Sequence, residues 1–260
     1  MYKILLPFIA KVNGERYNYR MSGHSKWATI KRAKGAADLK RGLTFTKLSN
    51  AITIAVKQSG GTTDIDSNFK LRLLVEEARA VNMPKENIER AIQRAVSRGA
   101  GELEEVVYEG FAPGGVSVII EAATDNSART TAEIKSIFNK ESASFGQPGS
   151  VAYQFKNLGK ITAEKSGKTY DDFFEMAVEA GAEDLEEDGG AFSVFTKPEN
   201  MNAVKDALTA KGVTVSGFEL IRKPTITVPI SDPAKREQVI GFLEKLEDLD
   251  DVQKIYSNLA

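Results

Sequence analysis

The sequence has no cysteine, one histidine and one tryptophan. Without cysteine it can form no disulfide, no thiolate nucleophile and no sulfur-ligated zinc or iron–sulfur cluster. A single histidine leaves a His-rich metal site or a Ser/His/Asp triad short of its parts. No apolar run approaches the roughly 20 residues that span a bilayer. No cofactor, metal or membrane partner is therefore expected, and the chain reads as a cytoplasmic monomer. Net charge is also low, at −1 from 35 Lys and Arg against 36 Asp and Glu. Hydrophobic content of 42% and charged content of 27% are those of an ordinary globular protein. A length of 260 residues allows two or three domains with separate cores.

The near-neutral total hides a strong asymmetry. Residues 1–101 carry a net +11 and residues 102–260 a net −12. The basic excess concentrates in residues 21–60, where eight cations face the single anion Asp38 for a net +7. The stretch Gly23-His24-Ser25-Lys26-Trp27 through Lys34 holds both the histidine and the tryptophan. A basic segment joined to an acidic body fits a module that binds a polyanion, nucleic acid first among them.

Periodicity divides the chain further. Residues 1–20 fit neither a secretory signal nor a transit peptide. They read as a disordered tail, or as sequence ahead of a true start at Met21, and the second reading is preferred. Helical spacing begins at Ser25, breaks at Gly42, and resumes through Phe45, Leu48, Ile52 and Val56. Asp66 is expected to cap a third helix, and Pro84 to open a fourth.

Past Gly101 the pattern turns to strands. Val106–Ala112 and Val116–Ala123 flank the turn residues Pro113-Gly114-Gly115, and Val151–Phe155 with Lys160–Ala163 suggests a second hairpin. Helices are expected over 128–140, 170–180, 199–211 and 232–246, and strands over 191–196, 213–220, 225–230 and 252–256. The expected fold is α+β and multidomain. An all-α helical bundle (21–101) precedes two α/β-plait, ferredoxin-like domains. One of these is discontinuous (102–148 with 223–260), and the other (149–222) is inserted in it. Two independent sequential domains are the alternative.

Few stretches could carry chemistry. His24 and Ser25 are adjacent and lack a third triad member, so they either meet phosphate at a helix start or simply cap it. With Lys26, Lys31, Arg32, Lys34, Lys40, Arg41 and Lys47 they form the candidate nucleic-acid surface, whose binding would release counterions and depend on salt. A solvated basic face is the bland alternative, but Asp38 alone cannot pair so many cations. Asp125, Asn126, Arg129 and Thr130 follow a strand and open a helix. Asp125 or Asn126 could be the N-cap, and Arg129 and Thr130 could face a ligand there. The acidic run Glu183, Asp184, Glu186, Glu187, Asp188 lacks the spacing of a calcium loop and reads as a solvated loop or a protein-facing patch.

The ordered motifs Met21-Ser22-Gly23-His24-Ser25-Lys26-Trp27, Arg41-Gly42 with Phe45-Thr46-Lys47-Leu48, and Asn82-Met83-Pro84-Lys85 resemble the YebC family. So do Tyr108-Glu109-Gly110, Thr124-Asp125-Asn126 with Arg129-Thr130, Gly149-Ser150-Val151-Ala152-Tyr153, and Asp251-Val252-Gln253 with Tyr256. The resemblance runs from residue 21 to residue 260. It implies a helical bundle and two α/β domains, one inserted in the other, and no enzymatic activity. Bacterial members are described as transcriptional regulators that bind DNA, or as ribosome-associated factors relieving stalling at proline runs; mitochondrial relatives are translational activators. DNA or ribosomal RNA, and the ribosome itself, are the partners implied. An enzyme using Asp125 or the acidic run is the remaining class. Family members commonly carry a glycine pair where this chain has Ser142-Ala143, so that turn is expected to differ.

Overall fold

The structure, a computed structural model, describes residues 9–12, 15–18, 37–97, 103–188 and 190–260. It is mixed α+β: a two-stranded pair precedes three helices, and two four-stranded antiparallel sheets follow. Within residues 1–20, read as a disordered tail or as sequence ahead of a start at Met21, β1 (Ile9–Val12) and β2 (Glu15–Asn18) pair antiparallel, with Val12 opposite Glu15.

Three helices share one apolar core. α1 (Ala37–Gln58) runs through Gly42, where a break was expected. A glycine inside a helix costs only about 1 kcal/mol, which burial of Leu48, Ile52, Ala55 and Val56 outweighs. α2 (Phe69–Ala80) is capped by Asn68 rather than Asp66: the Asn68 side chain accepts from Leu71 N at 3.1 Å. Its amide also donates to the Ala55 and Thr62 carbonyls and to Ser59 Oγ, so one buried residue ends α1 and starts α2. α3 (Lys85–Val96) follows Pro84, and its Ile88 and Ala91 pack onto Leu71, Val75 and Ala78 of α2 and the α1 stripe.

In the first sheet the strands lie in the order Val252–Ser257, Val116–Thr124, Glu104–Ala112, Ser144–Phe145. β3 (Glu104–Ala112) and β4 (Val116–Thr124) form a hairpin around Pro113–Gly115, where Gly114 and Gly115 have φ of 81° and 77°. α4 (Ser127–Lys140), the short β5 (Ser144–Phe145), α7 (Pro233–Glu247) and β10 (Val252–Ser257) complete it. Ile134 and Phe138 of α4 meet Phe242 and Leu243 of α7 over Val118 and Ile120, and Phe138 stands edge-on to Phe242 at 5.0 Å. This order is not the plait expected there. The tight Pro-Gly-Gly connection keeps β3 and β4 adjacent at the centre, whereas a plait puts a helix between its first two strands.

In the second sheet the strands lie in the order Asp184–Asp188, Ala191–Thr196, Phe155–Glu164, Val215–Pro224. It is built from β6 (Phe155–Glu164), α5 (Tyr170–Glu179), β7 (Asp184–Asp188), β8 (Ala191–Thr196), α6 (Met201–Ala210) and β9 (Val215–Pro224). This succession and order match the β-α-β-β-α-β plait. Three expectations fail around the two sheets. The supposed hairpin of 151–163 is a short turn at 152–154 followed by one continuous strand, β6. Gly159 marks a close approach and not a bend, since a Cβ there would stand 2.9 Å from Met201. The acidic run is a strand, β7, with Leu185 buried. Residues 225–230 form no strand, only a parallel bridge between Val228 and Leu259.

The described residues cluster into two compact units: those up to Gln154 together with Pro224–Ala260, and Phe155–Lys223.

Candidate functional site

Of the nine residues expected to meet nucleic acid, His24, Ser25, Lys26, Lys31, Arg32 and Lys34 lie outside the described residues. Lys40 and Arg41 fall near the start of α1, but their side chains also lie outside what is described. Lys47 is half-buried, and its ammonium donates to the Glu247 carbonyl at 2.5 Å. Glu247 is the last residue of α7. Carbonyls there have no helical partner and lie at the negative end of the helix dipole, so a lysine both satisfies and neutralises that end. Lys47 is thus engaged in bracing α1 against α7.

The cations farther along the bundle divide similarly. Lys70 pairs with Glu105 at 3.2 Å and also donates to Gln58. Arg72 donates to the Ile65 and Asp66 carbonyls, and Arg94 to Asn50. Lys57 and Arg79 have no ion pair among the described residues.

The second candidate cluster is brought together at the start of α4. Asn126 is the N-cap, accepting from Arg129 N at 3.0 Å, while its own N–H donates to Thr124 Oγ1 at 2.9 Å. The Arg129 guanidinium lies 3.0 Å from both Asp125 and Asp251, and Thr130 Oγ1 reaches Asp251 at 2.5 Å and Thr124 at 2.8 Å. Asp251 directly precedes β10, so the cluster ties that strand to the α4 N-terminus. Burial alone would raise the Asp251 carboxyl; hydrogen bonds from Thr130, Arg129 and Thr124 outweigh it and hold the group below the usual carboxylate range. Both acids, Asp251 first, push Arg129 up. Arg129 Nη2 and Thr130 Oγ1 thus clasp the α4 N-terminus to Asp251, while the Arg129 side chain stays 47% exposed.

A third constellation was not foreseen as one. The Glu109 side chain is 6% exposed and accepts from the backbone N–H groups of Gly149 (2.7 Å), Val151 (2.7 Å) and Ala152 (2.8 Å). Its own carbonyl accepts from Gly146 N at 2.8 Å. Next to it, a Cβ on Gly110 would stand 2.5 Å from the Phe138 ring and 2.6 Å from the Ser144 carbonyl. Only glycine admits that approach. The Tyr-Glu-Gly and Gly-Ser-Val-Ala motifs, some 40 residues apart, are thus two halves of one buried contact.

Residues 25–98 match the family described as TACO1/YebC protein N-terminal domain, and residues 103–259 match TACO1/YebC second and third domain. The chain belongs to the TACO1/YebC family. One TACO1/YebC relative, from Roseiflexus castenholzii, is 48% identical over 246 residues, spanning 92% of this chain and 95% of its own, and is named a probable transcriptional regulatory protein. A relative from Dictyoglomus thermophilum, 47% identical over 240 residues, with 92% and 95% coverage, carries the same name. The crystal structure of a conserved hypothetical protein from Aquifex aeolicus is 38% identical with a TM-score of 0.80, covering 90% of this chain and 96% of that one. The substituted turn of this TACO1/YebC chain is left-handed: Ser142 has φ 56° just after α4, and Ala143 N donates to the Phe138 carbonyl at 2.9 Å. Among the described residues no group of three or more His, Cys, Asp or Glu is gathered to hold a metal ion, and no helix is long and apolar enough to cross a membrane.

Proposed function

We propose that this TACO1/YebC chain is a non-enzymatic, nucleic-acid-binding regulator of gene expression. The observation that carries the reading is the +7 charge of residues 21–60 set against an acidic remainder. Such a segment gains affinity by displacing counterions from a phosphate backbone, a gain that the acidic remainder cannot share. The names of the relatives, probable transcriptional regulatory protein, agree with it. His24, Ser25, Lys26, Lys31, Arg32, Lys34, Lys40 and Arg41 make the phosphate contacts, while Lys47 serves the brace to α7. Residues 21–101 act as the binding domain. Residues 102–148 with 223–260 form a discontinuous α/β domain that carries the inserted domain 149–222.

The nucleic acid is duplex DNA or ribosomal RNA, since a basic helical surface suits either. Two assays on the full chain separate them: sedimentation with ribosomes and binding to duplex DNA, each across a salt series. Retention on ribosomes at salt that abolishes DNA binding makes the protein a translation factor acting in the cytoplasm. Salt-resistant preference for particular duplexes makes it a transcriptional regulator. A Lys31→Glu, Arg32→Glu, Lys34→Glu variant keeps its fold and loses both. Unchanged affinity of that variant at low salt would remove the basic segment from the mechanism.

A further inference from the structure

α5 carries more apolar surface than its own unit uses. Phe173 and Ala177 are fully buried against the second sheet, where Phe173 stacks on Phe192 at 4.2 Å. That face alone suffices to dock a ten-residue helix. Yet Tyr170, Phe174 and Val178, at steps of four, are 41%, 44% and 52% exposed. The Tyr170 and Phe174 rings stack with centroids 6.1 Å apart and planes 19° from parallel, and the Tyr170 hydroxyl donates to the Leu185 carbonyl of β7 at 3.1 Å. The three side chains form a continuous, fixed ridge along the helix.

The rim of the ridge specifies its partner. Asp171 and Glu175 follow Tyr170 and Phe174 by one position and run beside them as a parallel row. Both are exposed, and neither has a partner among the described residues. The helix has four acids, Asp171, Asp172, Glu175 and Glu179, and no cation. Asp172 accepts from Thr169 and Glu179 pairs with Lys211, so the free charge is the row nearest the ridge. Phosphate is repelled by such a rim. A second copy of the same face would set acid against acid. An apolar segment flanked by Lys and Arg meets both the ridge and the row.

We propose that this face of α5 is the docking site of a basic amphipathic protein helix. Its apolar side chains seat between Tyr170, Phe174 and Val178, as one helix's ridge enters another's groove, and its cations pair with Asp171 and Glu175. The site is independent of the nucleic-acid reading, because it uses none of the residues of the basic segment.

The probe is a synthetic Leu/Lys amphipathic helix of about 18 residues, long enough to be helical on binding, titrated into the isotope-labelled full chain. A Leu/Glu peptide of the same pattern and a short RNA serve as controls. Saturable binding is expected, with amide shifts confined to residues 170–179 and 184–188. A Phe174→Ser, Val178→Ser variant weakens it roughly tenfold or more while staying folded, since the core face of Phe173 and Ala177 is untouched. An Asp171→Lys, Glu175→Lys variant weakens it similarly and flattens its salt dependence. The proposal is overturned by shifts that fall elsewhere, by equal binding of the Leu/Glu peptide or RNA, or by variants that bind like the parent. Self-association that Phe174→Ser abolishes also overturns it, as does absence of binding because the chain's own basic segment holds the site.

Discussion

Replacing Glu109 by glutamine removes one negative charge and no volume, so its cost isolates the contact between β3 and the 149–152 loop. In the native protein Oε1 accepts from Gly149 N, and Oε2 accepts from both Val151 N and Ala152 N. Glutamine keeps one carbonyl oxygen, which can still serve Val151 and Ala152. Its NH2 then faces the Gly149 N–H, donor against donor, and a stranded donor in a largely buried site costs about 1–3 kcal/mol. The two surviving bonds fall from charge-assisted to neutral, a loss of roughly 1 kcal/mol each. Allowing for incomplete additivity, the variant is expected to lose about 3 kcal/mol. Urea unfolding of the full chain should register this as a lower midpoint for the transition of the unit containing the first sheet. Hydrogen exchange should show Gly149, Val151 and Ala152 losing protection first. A change below about 0.5 kcal/mol, the range of an inert surface substitution, would refute the claim that this carboxylate holds the loop.

Two smaller perturbations test other parts of the fold. Ser142→Gly relieves a non-glycine residue at φ 56° and is expected to stabilise the protein by about 1 kcal/mol, read as a higher urea midpoint; a neutral or negative result would mean the serine side chain repays its strain. Asp251→Asn removes a carboxyl held below its ordinary value of 3.8 by Thr130, Arg129 and Thr124. A depressed acid contributes stability that is complete above its unfolded value and is lost as pH falls through the folded one. The parent should therefore lose stability on acidification below about pH 4 by a component that the Asn variant lacks, and parallel stability–pH curves would contradict this.

Local chemistry made much of the fold legible. Pro84 starts a helix, and Pro113-Gly114-Gly115 turns a hairpin, because both conformations are dictated within a few residues. Where two local solutions compete, the sequence is silent. Asp66 and Asn68 can both accept a capping bond, but only an amide can also donate to Ala55, Ser59 and Thr62, so tertiary contacts chose Asn68. β7 escaped notice because charge on an edge strand, which discourages unwanted pairing, looks in sequence like charge on a loop. In the clasp, Asn126 and Arg129 were visible as helix-start residues, but Asp251 lies 122 positions from Arg129, and no local pattern connects them. The Glu109 cradle was hidden for the same reason.

The position of β10 bears on the order in which the chain acquires structure during synthesis. The second sheet is encoded without interruption by residues 155–223, so all its strands are available once that stretch has emerged. The first sheet begins earlier and finishes later, because central β4 receives its outer neighbour only with Val252–Ser257. Until then one backbone edge of β4 is open, beside Val118, Ile119 and Ile120, which are fully buried in the finished protein. An open edge beside apolar residues can accept a foreign strand. Between the emergence of Lys223 and that of Val252–Ser257, the nascent chain therefore holds a younger domain with all its strands beside an older one still waiting for its last.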